Sequence, residues 1–153
     1  MIDSKQFRNT MGKFATGITI ITTVENSKVH GMTANAFVSV SLDPPLVCVC
    51  IDHKAKMDEL LSKTKRYGIS ILAENQQQIS QHFAGRPMEI APSFIWEKDL
   101  PFIEHSIANM ACMVVDKHIA GDHTLYIGEV KWLSNSDEGK PLLYYGGKYR
   151  LIS

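Results

Sequence analysis

The sequence has no apolar run long enough to cross a bilayer: Leu46 to Ile51, among the longest, falls far short of the roughly 20 residues a membrane-spanning helix requires. Net charge is absent too, with 16 Lys and Arg against 16 Asp and Glu. No global field gathers nucleic acid or an anionic membrane, so the partners left are small molecules or other proteins. Cysteine is scarce. Cys48, Cys50 and Cys112 are odd in number and lie in apolar runs without a C-x-x-C turn, which excludes a disulfide framework and favours buried structural thiols. Met1 to Thr10 holds no apolar leader-peptide core, so the chain reads as cytoplasmic. Also missing are a G-x-G-x-x-G fingerprint, a P-loop, a G-x-S-x-G elbow and any metal-ligand spacing among the histidines. With no internal repeat and no linker, residues 1–153 read as one domain.

What is present suits a globular core, with 44% hydrophobic and 21% charged residues. Asp3 or Ser4 caps a first helix whose Phe7, Met11 and Phe14 form one stripe, ending near Gly17. Ile18 to Val24 is β-branched at nearly every position and predicts a strand, and the polar turn Glu25 to Lys28 predicts a hairpin partner. Val29 to Ser41 reads as extended, irregular chain, Asp43-Pro44-Pro45 as a break, and Leu46 to Ile51 as a strand buried on both faces. Met57, Leu60 and Leu61 give Lys54 to Lys65 helical spacing, with Asp52 as its N-cap. Tyr67 to Leu72 is a strand, a Gln-rich helix ends near Phe83, and Gly85 to Pro101 reads as loop. Ile107 to Ile119 and Thr124 to Leu133 are long strands joined at Ala120-Gly121-Asp122, and Leu142 to Tyr149 is the last strand. Many short strands and few helices predict a mainly β fold, an antiparallel barrel with peripheral α-helices.

Three places suit chemistry, each with a plainer reading beside it. Gly31 to Ser41 is poor in bulky side chains, so its backbone lies open to a planar ligand such as a flavin ring, which needs N–H donors at its ring nitrogens and carbonyls; Ala34 and Ala36 leave amides for that purpose. The same residues suit a polar edge strand. At Asp52-His53-Lys54-Ala55-Lys56 a buried strand meets a helix start, where free amides and two lysines favour phosphate; a solvated helix end fits equally. At Gly121-Asp122-His123 a turn sets an imidazole at the head of a strand, with Tyr149 near the chain end; His123 there is either a nicotinamide contact and proton donor or a surface residue.

Together these segments resemble the short-chain flavin reductase family, the small partners of two-component flavin-dependent monooxygenases. The matching pieces are Met11-Gly12-Lys13-Phe14-Ala15-Thr16-Gly17, His30-Gly31-Met32-Thr33-Ala34-Asn35-Ala36-Phe37, Ser39-Val40-Ser41-Leu42, Lys54-Ala55-Lys56-Met57, Phe83-Ala84-Gly85, Gly121-Asp122-His123-Thr124 and Gly128-Glu129-Val130. Their order and spacing resemble most the reductase component of phenol or 4-hydroxyphenylacetate hydroxylases, while Arg86 to Trp96 departs from the pattern. The resemblance implies a split β-barrel of the FMN-binding type, a homodimer, and reduction of FAD (or FMN) by NADH (or NADPH) for an aromatic monooxygenase. It implies that Thr33, Ala34, Asn35, Ala36, Ser39, Val40 and Ser41 line the flavin, and that Asp52, Lys54, Ala55 and Lys56 meet its phosphates. Phe83, Ala84 and Gly85 cover the site; His123 acts in catalysis, and Gly147, Lys148 and Tyr149 face the nicotinamide. The competing expectations are a pyridoxamine-phosphate-oxidase-like FMN enzyme of the same barrel superfamily and, from a different class, a non-catalytic flavin-binding or flavin-storage protein.

Overall fold

The computed structural model describes all residues, Met1–Ser153. Its helices are α1 (Ser4–Met11), α2 (Lys56–Thr64) and α3 (Gln77–His82). Its strands are β1 (Thr16–Gly17), β2 (Thr19–Glu25), β3 (Lys28–Ala34), β4 (Phe37–Ser41), β5 (Leu46–Asp52), β6 (Arg66–Ile71), β7 (Phe94–Glu97), β8 (Leu100–Ile103), β9 (Ala108–Ala120), β10 (His123–Asn135), β11 (Leu142–Tyr145) and β12 (Lys148–Leu151). Seven strands form one antiparallel sheet in the order β3-β2-β6-β9-β10-β5-β4. Its two edges, β3 and β4, are consecutive in the chain and separated only by Asn35 and Ala36. Three peptide steps reach at most about 11 Å, so the sheet curls until its edges nearly meet. No ladder pairs β3 with β4, and the barrel stays split along this seam, as a split β-barrel requires.

Inside the curl lie Ile21, Val47, Val49, Ile51, Tyr67, Ile69, Cys112 and Tyr126, closed off by Met57, Leu60 and Leu61 of α2. A second cluster of Ile18, Ile20, Leu72, Ile103 and Leu142 sits where the small sheet β1-β11-β12 and α3 pack on the outer face. Strand β2 contributes to both clusters, which explains its β-branched residues on both faces. Its buried threonines are satisfied rather than stranded: Thr19 Oγ1 donates to Ala34 O at 2.7 Å and Thr22 Oγ1 to Pro101 O at 2.6 Å. Strand β5 is buried on both faces as expected through Val47, Cys48, Val49 and Ile51, with Leu46, Cys50 and Asp52 half-buried.

Several local expectations change. Helix α1 ends at Met11, not near Gly17, because Thr16–Gly17 pairs with Tyr144 and Leu143 of β11. Its stripe is not buried: Phe7, Met11 and Phe14 are all exposed. Helix α2 starts at Lys56 with Ala55 as N-cap, while the Asp52 carboxylate closes the preceding turn by accepting the Lys54 N–H at 2.8 Å. Gly85 to Pro101, expected as loop, carries β7 and the start of β8, joined by Lys98 and Asp99 at φ 52° and 61°. Such a turn is normally marked by Asn-Gly, which is absent here. Leu142 to Tyr149 is two strands, turning at Gly146 and Gly147 with φ of 60° and 75°. Val29 to Ser41 resolves into most of β3, the seam and β4. No helix is long and apolar enough to cross a membrane.

Gly128 faces Tyr67 so closely that a Cβ there would lie 2.5 Å from the phenolic oxygen and 3.0 Å from Cys112 Cβ. Gly128→Ala therefore overpacks the barrel interior, and thermal or urea unfolding shows a loss of about 1–3 kcal/mol.

Candidate functional site

Three segments distant in sequence meet at one end of the curled sheet. The first is the seam, where Asn35 and Ala36 are exposed and their N–H groups find no partner within the chain, while the Ala36 carbonyl accepts from Cys50 N–H at 3.0 Å. The second is the turn from β5 into α2. Ala55 offers no side-chain acceptor to the first turn of α2, and Lys54 and Lys56 stand exposed beside it. The third is the β9–β10 turn, where Gly121 at φ 62° and Asp122 lead into His123. Register sets His123 beside Asp52, and the Asp122 carbonyl accepts the His53 N–H at 2.9 Å, so early and late candidates are joined directly. His123 Nδ1 lies 2.8 Å from Asp122 Oδ1, and its Nε2 makes no hydrogen bond. At the β4 edge, Ser39 and Val40 are exposed, Ser41 is half-buried, and a bulge makes Val40 the extra residue between Ser39 and Ser41.

A second cluster forms on the outer face of β3. The Phe83 ring lies against Gly31, where any Cβ would come within 2.6 Å of it. Thr33 fixes this arrangement: its N–H donates to Phe83 O at 3.3 Å and its hydroxyl to Ser80 O at 2.6 Å. Ala84 and Gly85 follow, exposed, with Gly85 at φ 96°. The hydroxyls of Ser80 and Tyr149 are 2.9 Å apart, while Gly147 and Lys148 are exposed at the β11–β12 turn. Ala34 is buried and supplies no side chain to either cluster. His123 and Tyr149, expected to share one partner, belong to different clusters, and no hydrogen bond joins them. Nothing in the sequence marks Ser80, a buried polar residue in a Gln-rich helix; its importance rests on contacts to residues 47 and 69 positions away.

Burial chiefly, then the charges of Lys56 and Lys28, hold His30 below its ordinary 6.5, with Glu25 opposing. The hydrogen bond from His123 holds the Asp122 carboxylate low. Burial pushes the Cys48 thiol up to about 11 and Cys112 up to about 12, so both stay protonated at neutral pH and act as packing groups. A lowered His30 means that the unfolded chain takes up its proton first. The stability His30 confers is complete above 6.5 and is lost as pH falls below it. In an NMR titration the His30 ring changes charge below 6.5, and Lys56→Met moves that midpoint upward.

A family model described as flavin reductase like domain matches residues 11–153. An NADH-dependent flavin reductase of a Rhodococcus species is 50% identical over 149 residues, 95% of this chain and 84% of its own length. The reductase component of 4-hydroxyphenylacetate 3-monooxygenase from Thermus thermophilus is 33% identical, covering 95% of both chains. Among solved structures, flavin reductase PheA2 in its native state superposes with a TM-score of 0.95 at 47% identity, covering 99% of each chain. The Streptomyces globisporus NADH:FAD oxidoreductase SgcE6, in complex with NAD and FAD fragments, gives 0.91 at 31% identity over 100% of this chain and 96% of its own. The split sheet, the seam amides and the Gly-Asp-His turn thus sit in a chain that belongs to the flavin reductase-like domain family.

Proposed function

We propose that this protein reduces FAD with NADH and hands the reduced flavin to a partner flavin-dependent monooxygenase acting on an aromatic compound. The observation that carries the reading is the pair of unpartnered amides at Asn35 and Ala36, set beside an uncapped helix start, in a chain 50% identical to an NADH-dependent flavin reductase. That relative's activity favours reduction over flavin storage or amine oxidation.

The residues present fit a flavin. Ring carbonyls and nitrogens need N–H donors, and the seam offers two that the chain itself leaves free. A flavin held there would supply the hydride-accepting chemistry, so the protein need supply no nucleophile. Asn35 and Ala36, with Ser39, Val40 and Ser41, hold and orient the ring and ribityl chain, while Thr33, whose N–H and hydroxyl both donate to the Ser80–Phe83 segment, holds the cover beside them. Lys54, Lys56 and the first-turn amides of α2 take the phosphates, with Asp52 shaping their turn through Lys54 N–H. Phe83, Ala84 and Gly85 shield the ring from water, and Gly147, Lys148 and Tyr149 bound the nicotinamide side. Asp122 fixes the His123 ring through Nδ1, which leaves Nε2 to hydrogen-bond the donor or move a proton. FAD and NADH are preferred, as in the NADH:FAD oxidoreductase relative.

The working unit is a homodimer. Phe7, Met11 and Phe14 near the N-terminus and Val38, Val40 and Leu42 near the β4 edge are large apolar side chains left in water by one copy, more than a lone subunit gains from exposing. Size-exclusion chromatography with light scattering gives twice the 17.1 kDa chain mass, and Val38→Asp with Val40→Asp shifts it toward one.

The absorbance of NADH, followed after addition of FAD, falls only when protein and flavin are both present, and more slowly with NADPH; no oxidation with FAD or FMN refutes the reading. His123→Ala lowers kcat/KM for NADH by about tenfold or more while the flavin dissociation constant stays within about twofold.

A further inference from the structure

We propose that Ser80 is a positioning residue that couples the cover over the flavin to the C-terminal hairpin on the nicotinamide side. The inference rests on the roles given above to Phe83 and Tyr149 and concerns how they are held in register.

Ser80 is 1% exposed and sits three residues before Phe83, on the short helix α3. A helix of six residues has little stability of its own, so contacts outside it set its position. Two of them run to one residue of β3: Thr33 Oγ1 to Ser80 O at 2.6 Å and Thr33 N–H to Phe83 O at 3.3 Å. These hold the Phe83 ring on Gly31, in space no side chain at that position leaves free. The Ser80 hydroxyl points another way, to the Tyr149 hydroxyl at 2.9 Å. That is the hydrogen bond the Tyr149 hydroxyl makes within the chain, its ring standing edge-on to Tyr144 with centroids 5.5 Å apart.

One buried residue therefore touches both halves of the site, the flavin-side strand through its carbonyl and the hairpin through its hydroxyl. A displacement of Tyr149 by incoming nicotinamide acts on Ser80, and through less than one helical turn on Phe83. A purely structural serine would give no such link, since its loss would lower stability without making a hairpin residue matter to flavin binding.

The test measures flavin affinity with no nicotinamide present, by quenching of FAD fluorescence, in the wild type, Tyr149→Phe, Ser80→Ala and the double variant. Circular dichroism checks the fold of each. Tyr149→Phe keeps the ring and removes only the hydroxyl, so it carries the test if Ser80→Ala fails to fold. Each single variant weakens FAD binding by about two- to tenfold, as loss of one hydrogen bond predicts, and the double variant is no weaker than the worse single. Ser80→Thr, which retains the hydroxyl, recovers most of the affinity. Both singles also raise the KM for NADH more than they lower kcat. The coupling is overturned if Tyr149→Phe binds FAD as the wild type does, or if the two losses multiply in the double variant. Absence of flavin-dependent NADH oxidation in the wild type overturns the reductase reading instead, and the binding cycle still decides the coupling.

Discussion

Two residues connecting opposite edges of a seven-stranded sheet constrain most of this molecule. Because Asn35 and Ala36 alone span from β3 to β4, the sheet has no flat solution, and its inner face becomes an interior that α2 closes. The same connection interrupts pairing. Ordinary sheet residues spend their amides on neighbouring strands, but at the seam only the Ala36 carbonyl meets one, at Cys50, so the Asn35 and Ala36 N–H groups stay available. Unspent backbone amides are thus a by-product of the topology, and on the reading proposed above they, rather than side chains, meet the flavin ring.

The interior relays that geometry to the helix start. Tyr67 donates to the Tyr126 carbonyl at 3.1 Å, and the Tyr126 hydroxyl lies 2.6 Å from Asp58 Oδ1 on the first turn of α2. Burial, the largest influence on both phenols, raises their pKa values, so they remain neutral donors and the links persist at any working pH. Gly128 leaves Tyr67 the room to lie there. The lysines beside α2 are therefore registered against β10, and β10 also carries His123, two positions from Leu125 and opposite Asp52.

Legibility in the sequence followed the range of the interaction. Ile18 to Val24, Leu46 to Ile51 and the Met57, Leu60, Leu61 spacing declare themselves, because burial imposes a local pattern. The family motifs place the seam, the helix start and the Gly-Asp-His turn, all of which the fold gathers at one end. What stayed hidden depends on partners far away in the chain. Thr16–Gly17 belongs to a sheet only because β11 is there, and Lys98-Asp99 turns without the glycine that normally signals such a hairpin. Gly31 reads as backbone freedom for a ligand, whereas the structure gives it an internal occupant, the ring of Phe83. The contact of Tyr149 with Ser80 is equally unmarked, since it follows from no local pattern.

The two clusters differ in how firmly they are held, and that difference suits an enzyme whose product leaves. Seam, helix start and histidine turn are tied to the long strands β5 and β10, which share a seven-residue register. The cover rests on a shorter element, a six-residue helix tied by Thr33 of β3, by Tyr149 of a terminal hairpin and by the Gln76 side chain, which accepts from Ala73 N–H and donates to Glu104 O. Elements with few such ties lie at the low end of local stability and open first. On the proposed reading, a flavin whose electrons pass to a partner needs a floor that aligns it for hydride transfer and a cover that yields afterwards. On that reading, ring-binding amides at the seam and an aromatic cover on Phe83, the residue that caps α3, separate those demands, so that loosening the cover leaves the alignment undisturbed.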